Sequence, residues 1–423
     1  MFNLLYIRNI ISSFLIFALL LSGCSKHVDT SSLLLEIEAR SQAARFLAEK
    51  VEQENGFISS IRKDNTVENA YIYDNALAAI VLTFAGAYEH AQCIADALVF
   101  VQEHDRTFKD GRIRNVYIAG DPKSDSGRSI IEGNVTVRLP GFWQDGKWQE
   151  DAYTVSTSTG NIAWVILALC IVSIHSDSEQ RHRYIQAAIK AADFVLTLES
   201  ELGFTAGYEG WDDAQTKASY ISTEHNIDLY VAFSVLSKLL SETNPSKAQV
   251  YEDASQKAKR FAFAMYDSDL GCFYTGTTDE KGTISEGVIP LDTSSLAILA
   301  FGEEIEQPYM VISFIEKRMS VGGGFDYSAG DLDGIWNEGT AQMAVCYHVL
   351  NHNDRYESLM KYLKTQIAQD GSIPAADRDN VSTGFVIAGT DTLWEYNNEQ
   401  SISATAWLAL AQLEMNPFDV MLD

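Results

Sequence analysis

Acidic side chains that stand where apolar helices begin are the residues of this sequence best placed to do chemistry. Glu224 and Asp228 are four residues apart, so a helix puts both on one face. His225, Asn226 and Tyr230 crowd the same segment, Ser222-Thr223-Glu224-His225-Asn226-Ile227-Asp228-Leu229-Tyr230. Asp74, Asp292 and Glu338 hold comparable places ahead of other apolar stretches, with Asp331, Asp333 and Glu395 within a few residues of them. A protonated carboxyl beside an ionised one can cleave an acetal: the acid protonates the leaving oxygen while the carboxylate activates water or attacks carbon. Clustering assists, because neighbouring carboxylates raise one another's pKa. Helix capping and the macrodipole also place Asp or Glu at helix starts with no catalysis at all, and that explanation suits Asp292. It is thin for the segment around Glu224, where one polar residue would cap and five are present. Glu224 is therefore expected as general acid or base, Asp228 as its orienting partner, and Glu338, Asp333 or Asp74 as the second carboxylate.

Aromatic rings are the other ingredient, since a flat ring covers the apolar C–H face of a pyranose. Tyr71, Tyr73, Trp143, Trp148, Trp211, Trp336, Trp394 and Tyr396 fall in loops or at helix starts. Core packing accounts for any one of them; their number near helix starts is the argument for substrate contact. Tyr73, His225, Trp143, Trp148, Trp211, Trp336 and Trp394 are the expected substrate-binding set, whereas Trp164 and Trp407 lie inside apolar helices and are assigned to the core. Other chemistries find little support. Asp331-Leu332-Asp333-Gly334 has its glycine too early for an EF-hand and no bidentate Glu at the right interval. Cys93, Cys170, Cys272 and Cys346 are too scattered for a zinc site and read as buried thiols. Gly322-Gly323-Gly324-Phe325 lacks the lysine and hydroxyl of a phosphate loop, and no Ser-His-Asp order emerges from the histidines. No metal or other cofactor is expected.

The elements that must position these residues repeat six times. Each repeat has a polar start followed by a helix rich in Ala, Leu, Ile and Val, and the anchors are Asn75, Asn161, Asn226, Thr293, Thr340 and Ala404. Helices this apolar on nearly every face must be buried all round. Between them run amphipathic helices at about 41–52, 87–101, 181–198, 248–265, 309–318 and 356–368, with apolar residues at helical spacing. Six inner and six outer helices in alternation make a closed double ring, an all-α (α/α)6 barrel. The anchors are 86, 65, 67, 47 and 64 residues apart, too irregular for a solenoid of fixed repeats but acceptable for a barrel with unequal loops. The longest insertion, 106–156, is rich in Gly, Asp and aromatic residues, and short hairpins such as Gly271-Cys272-Phe273-Tyr274-Thr275-Gly276-Thr277 are expected to decorate other loops.

This pattern resembles the six-hairpin glycosidase superfamily, over about residues 35–418. Besides the architecture, the resemblance rests on Tyr73-Asp74-Asn75-Ala76-Leu77-Ala78, the segment 222–230, Asp333-Gly334-Ile335-Trp336-Asn337-Glu338-Gly339-Thr340-Ala341 and Asn416-Pro417-Phe418. It implies inner-helix N-termini gathered at one rim around a central cleft, and hydrolysis of glycosidic bonds, commonly with inversion. The toroid also hosts lyases, sugar epimerases and non-glycan enzymes, so the fold alone does not choose among them. A lyase would use His225 and Tyr230 as bases but would want positive charge for a uronate. A surface glycan-binding lipoprotein would use the aromatics and leave the acids as caps.

The N-terminus carries an address. Arg8, the apolar run Ile10 to Leu21 and Leu21-Ser22-Gly23-Cys24 resemble a lipoprotein signal peptide with its lipobox. A secretory core needs only about 7–15 apolar residues, against about 20 for a membrane-spanning helix. Residues 1–23 are thus expected to be removed, 24–34 to form a tether lipidated at Cys24, and 35–423 to form one domain. Ser25 after the cysteine suggests outer-membrane sorting where such a membrane exists. The formal net charge of −27 disfavours nucleic acid and uronic-acid polymers as partners. A neutral or weakly cationic carbohydrate suits that field better.

Overall fold

The computed structural model describes residues 30–61, 69–125, 127–131, 133–387 and 391–420. The leader, Cys24 and the beginning of the tether lie outside these residues. The chain divides into two compact units, Met1–Glu36 and Ile37–Asp423, and the architecture below is that of the second. No described helix is long and apolar enough to cross a membrane.

Twelve helices alternate between an outer and an inner ring. The outer ones are α1 (Gln42–Glu54), α3 (Tyr88–Glu103), α5 (Ser178–Leu196), α7 (Pro245–Ala264), α9 (Pro308–Arg318) and α11 (Asn353–Gln366). The inner ones are α2 (Ile72–Ala85), α4 (Thr159–Ile174), α6 (Thr223–Leu240), α8 (Leu291–Phe301), α10 (Asn337–Val349) and α12 (Ile402–Leu413). In α5, burial centres on Tyr184, Ala187, Ala188, Ala191, Ala192 and Val195, a stripe at helical spacing that Ile189 and Phe194 widen. In α4 nearly every residue is buried, because neighbours surround it. Each inner helix packs against the next, and α12 returns to α2, so the ring closes.

A repeated hydrogen bond shows how the ring is joined. The first residue of every inner helix donates its backbone N–H to a carbonyl of a neighbouring loop: Ile72 to Asn115, Thr159 to Ala206, Thr223 to Thr275, Leu291 to Tyr327, Asn337 to Ala375 and Ile402 to Ser60, all at 2.8–3.0 Å. The last of these brings the final repeat back to the first hairpin. One of the orphan N–H groups of each helix is thereby satisfied by the following repeat rather than by a side chain. Side-chain N-caps are made in only two of the six, by Ser222 and Ser401; Tyr71, Ser158, Pro290 and Trp336 occupy the cap position without one. The polar start that each repeat shows in the sequence therefore serves as a side-chain cap in only two of the six helices.

The fourth residue of several inner helices locks the preceding loop. Asn226 accepts from Phe204 N and donates to Phe204 O, both at 3.0 Å, and Asn75 does the same for Ile58. Thr340 accepts from Phe325 N at 3.0 Å and Thr405 from Ile373 N at 3.1 Å. Glycine precedes Phe204 and Phe325 because a Cβ at Gly203 or Gly324 would come within 2.8 Å of the clamping Asn226 Oδ1 or Thr340 Oγ1. The segment 271–277 is not a hairpin of its own. Cys272–Phe273 pairs with Tyr266–Asp267, and Gly276–Thr277 pairs with Ile221–Ser222.

The insertion after α3 carries two hairpins, Arg128–Ile131 with Asn134–Val137 and Phe142–Gln144 with Lys147–Gln149. It is tied down by Arg114, whose wholly buried guanidinium donates to Asp105 at 2.6 Å, Asp212 at 2.5 Å and Val155 O at 3.0 Å. Arg106 adds a bidentate pair with Glu150 at 2.6 and 2.7 Å and a bond to Asp212 at 2.8 Å. At the opposite end of the barrel the C-terminal segment folds inward. Asn416 donates to Leu299 O, and the Phe418 ring lies 5.3 Å from Trp164.

Candidate functional site

Because all six inner helices begin at the same rim, residues of equal rank in each helix form a layer. The second residues are Tyr73, Gly160, Glu224, Asp292, Glu338 and Ser403, and all six line one cavity of about 500 Å³. Four residues on, one helical turn deeper, come Leu77, Trp164, Asp228, Leu296, Gln342 and Trp407. Trp164, Leu296 and Gln342 of that deeper layer also reach the cavity. Asp74, in the third position of α2, and His225, in the third of α6, complete the polar wall. Four carboxyls on four inner helices therefore share the chamber with Glu395 and Glu399 from the segment before α12, Asp228 lies beneath, and no Lys or Arg is among the described residues lining it.

Burial without a counter-ion dominates their ionisation. Glu224 is pushed well above the ordinary carboxyl range by burial, then by the charges of Asp292, Asp228 and Glu338. Burial lifts Asp74 to about 8, with the Ser60 hydroxyl opposing and the Glu338 charge adding, and Asp292 to about 7, with Glu338 again adding. Glu338 rises only to about 6, since Ser403 and Tyr73 donate hydrogen bonds to it against the effect of burial. The Tyr73 hydroxyl reaches Glu338 Oε1 at 2.8 Å and itself accepts from Trp407 Nε1 at 2.8 Å, a relay that fixes the carboxylate. Burial lowers His225 to about 4, so its ring is neutral near pH 7. That ring lies on Gly160, where a Cβ would come 2.4 Å from His225 Cδ2, so the glycine makes room for it.

Aromatic residues enclose the mouth. Tyr153 from the long insertion meets Trp394 at 5.6 Å and Tyr71 at 6.4 Å. On the other side Tyr327 is packed among Trp336 at 4.9 Å, Tyr396 at 5.9 Å and Phe385 at 6.3 Å. Trp394, Glu395 and Tyr396 belong to one hairpin, Val381–Val386 with Leu393–Tyr396, that leans over the rim.

Of the residues expected from sequence, the fold brings Tyr73, Asp74, Glu224, His225, Trp336, Glu338 and Trp394 into this chamber. Asp228 is below it and makes no hydrogen bond to Glu224, so it does not orient Glu224 in that way. Trp164 lies beside Asp228 and opposes the burial-driven rise of its pKa. Asn226 serves the loop clamp and Tyr230 faces outward against Phe301 and Lys259. Trp143 and Trp148 stack edge to face at 5.8 Å on the insertion's outer hairpin, beside a separate pocket with Arg106 and Arg138. Trp211 is half exposed and donates to Glu150 O at 2.9 Å. These three tryptophans followed loop membership, which does not distinguish a loop that turns in from one that turns out.

Asp333 also lies outside the chamber. Its carboxylate accepts from Ser382 N, and its oxygens approach those of Asp326 and Asp331 within 4.8 Å, a spacing that would suit a shared cation. Asp326 already accepts from Tyr327 N at 2.7 Å and Asp333 N at 3.1 Å, so the trio has a structural role in the turn before α10. The residue that sequence reasoning passed over is Asp292, assigned to capping; Trp164 is a core residue as expected, and it also reaches the chamber. Aligning the six helix starts and stepping four residues would have found Trp164, Gln342 and Trp407 as one layer.

No protein-family model matches the sequence, and no curated protein matches it. Solved structures do match. A glycosidase variant in complex with glucose is 12% identical with a TM-score of 0.61, covering 90% of this chain and 98% of that one. A novel α-amylase from Clostridium perfringens is 14% identical at a TM-score of 0.58, covering 88% and 97%, and a sugar epimerase from a ruminal bacterium is 12% identical at 0.58, covering 89% and 98%. The chain therefore has the six-hairpin (α/α)6 toroid, the fold that these glycosidases and sugar epimerases share.

Proposed function

We propose that this protein is a glycan-processing enzyme that hydrolyses O-glycosidic bonds in a neutral or weakly cationic oligo- or polysaccharide. The observation that carries the reading is the gathering of Glu224 and Glu338 with Asp74 and Asp292 in one aromatic-walled chamber that no described cation lines. Glu224, held protonated by burial and neighbouring charge, donates its proton to the leaving oxygen as the C–O bond breaks. Glu338, kept lower by Tyr73 and Ser403, takes a proton from the attacking water, whose hydroxyl completes the new hemiacetal. Asp74, raised to about 8, and Asp292, raised to about 7, are largely and about half protonated at neutral pH, so they can donate hydrogen bonds to substrate hydroxyls beside the catalytic pair. Inversion follows the resemblance, and NMR of the first-formed anomer checks it. The leader and Cys24 support a lipid-anchored, cell-envelope setting, testable by acyl labelling of the full chain and of Cys24→Ser.

The direct test is release of reducing sugar from a panel of neutral and amino-sugar glycans. Wild type should release sugar, while Glu224→Gln and Glu338→Gln should fall at least about a thousandfold with folding intact. Full activity in both variants contradicts the assignment, and glycan affinity without turnover in wild type favours a binding lipoprotein. His225 favours one second reading, sugar epimerisation, because it is a neutral base in the chamber with Nδ1 unpartnered. Deuterium uptake at a sugar carbon without loss of chain length would select it.

A further inference from the structure

A second cavity, of about 390 Å³, adjoins the chamber on the side of Glu224. It forms where the strand leading into α6, Ile221–Ser222, pairs with Gly276–Thr277, and Phe385 from the 381–396 hairpin closes one side. His225 belongs to the linings of both cavities, and it is the residue next to Glu224 on α6. The outer space thus begins where the helix of the acid begins, and no described residue of α10, which carries Glu338, lines it. Two aromatic rings link the spaces. Tyr220 of the outer cavity is 41% exposed, and its phenol is held above the ordinary range by burial, then by the charges of Glu209 and Glu224. Phe385 lies 6.3 Å from Tyr327 of the chamber wall.

The two linings differ in chemistry. Six carboxyls border the chamber, whereas no Asp, Glu, Lys or Arg is among the described residues of the outer cavity. Tyr220, Ser222, Thr278 and Ser285 bring hydroxyl groups there, and Tyr220 and Phe385 bring rings. Such a surface suits the hydroxyls and the apolar C–H faces of an uncharged sugar, and it offers an ammonium or a carboxylate no charged partner. The volume falls within the usual range for small-molecule sites, about 300–1,000 Å³.

Resting on the hydrolase reading above, we propose that this cavity is the leaving-group subsite, holding an uncharged sugar unit against Tyr220 and Phe385 while the chamber holds the unit whose anomeric carbon is attacked. A general acid must lie within hydrogen-bond reach of the oxygen it protonates, so the leaving sugar belongs on the acid's side of the chamber. The C–O bond that joins the two units then crosses the edge marked by His225. When it breaks, its electron pair stays on the bridging oxygen, the Glu224 proton joins that oxygen, and the new alcohol is released into the outer cavity. Charge tolerance is divided in the same way: a cationic group is accepted on the unit in the chamber and not on the unit that leaves.

Glycosyl fluorides provide the test, because fluoride fills no sugar subsite and departs with little help from an acid. The fluoride is matched to the sugar and the anomeric configuration that wild type cleaves in the neutral glycan panel. Tyr220→Ala removes a ring and Ser285→Trp fills the cavity. Each should lose at least about ten-fold in kcat/KM on the oligosaccharide and less than about three-fold on the fluoride. The free leaving sugar should inhibit wild type, and inhibit both variants less. Equal losses on the two substrates, no loss on either, or unchanged inhibition, in variants whose melting by circular dichroism matches wild type, would overturn the subsite while leaving the hydrolase standing. Wild type that cleaves neither the glycan panel nor glucosyl, galactosyl and mannosyl fluorides of either anomer would remove both.

Discussion

Asp105 and Asp292 are both almost completely buried, yet their surroundings are opposite. Asp105 lies against the Arg114 guanidinium, and the hydrogen bonds and charge of that arginine, with two backbone N–H groups, hold its carboxyl below the ordinary range in spite of burial. Asp292 meets burial and more negative charge, and its carboxyl rises to about 7. The insertion network spends its acids on paired charges that fix a loop. The chamber gathers acids with no Lys or Arg among the described residues that line it, an arrangement that weakens the fold and that chemistry explains better than stability does. The difference separates acids that hold the molecule together from acids that act on something else.

The largest expected effect comes from unpairing the first set. Arg114→Met leaves Asp105 buried without its cation and Asp212 with Arg106 alone, and should lower stability by about 3–5 kcal/mol, read from urea unfolding at neutral pH. Asp228→Asn, in contrast, removes a buried carboxyl that has no cationic partner among the described residues, and its unfolding midpoint at pH 8 should lie above wild type. A fall as large as that of Arg114→Met would break the comparison.

The two sets should also drive stability in opposite directions with pH. The chamber acids have raised pKa values, so their contribution is fully present below the unfolded-state value near 4 and is lost as pH rises through about 6 for Glu338, 7 for Asp292 and 8 for Asp74. Asp105 and Asp212 have lowered values, so what they contribute is present above about pH 4 and is lost as pH falls further. Melting curves of Asp74→Asn combined with Asp292→Asn should lose much of the decline between pH 6 and 8. An unchanged decline would place its origin elsewhere. The smallest effect is expected at Trp143, which is 71% exposed and distant from the chamber lining. Trp143→Ala should change kcat/KM on a short oligosaccharide by less than about two-fold.

Much of the scaffold was legible because burial on every side leaves a plain trace. The charge-poor runs at 162–174 and 404–411 could only be inner helices, and the charged stripe of 178–196 could only be an outer one. The gathering of Glu224 and Glu338 followed from common rank in a closed ring, with Asp74 one position further along its own helix. What was not legible depends on loop direction. Trp143 and Trp394 both read as loop tryptophans, but the first rides an outward hairpin and the second leans over the rim. Asp333 missed the chamber because its carboxylate turns to Ser382 N and the neighbouring acids instead of following α10 inward. Asp292 was hidden by a sound general rule, since an acid in a first helical turn needs no other reason to be there.

The measurement closest to the central claim is the pH dependence of kcat/KM in wild type and Tyr73→Phe. The account predicts a bell in wild type whose acid limb lies near 6, set by Glu338, and whose basic limb belongs to Glu224. Removing the Tyr73 hydroxyl takes a hydrogen bond from the Glu338 carboxylate, so the acid limb should move to higher pH while the protein stays folded. An acid limb that stays where it was, in a folded and active Tyr73→Phe, would show that Glu338 is not the base and contradict the account.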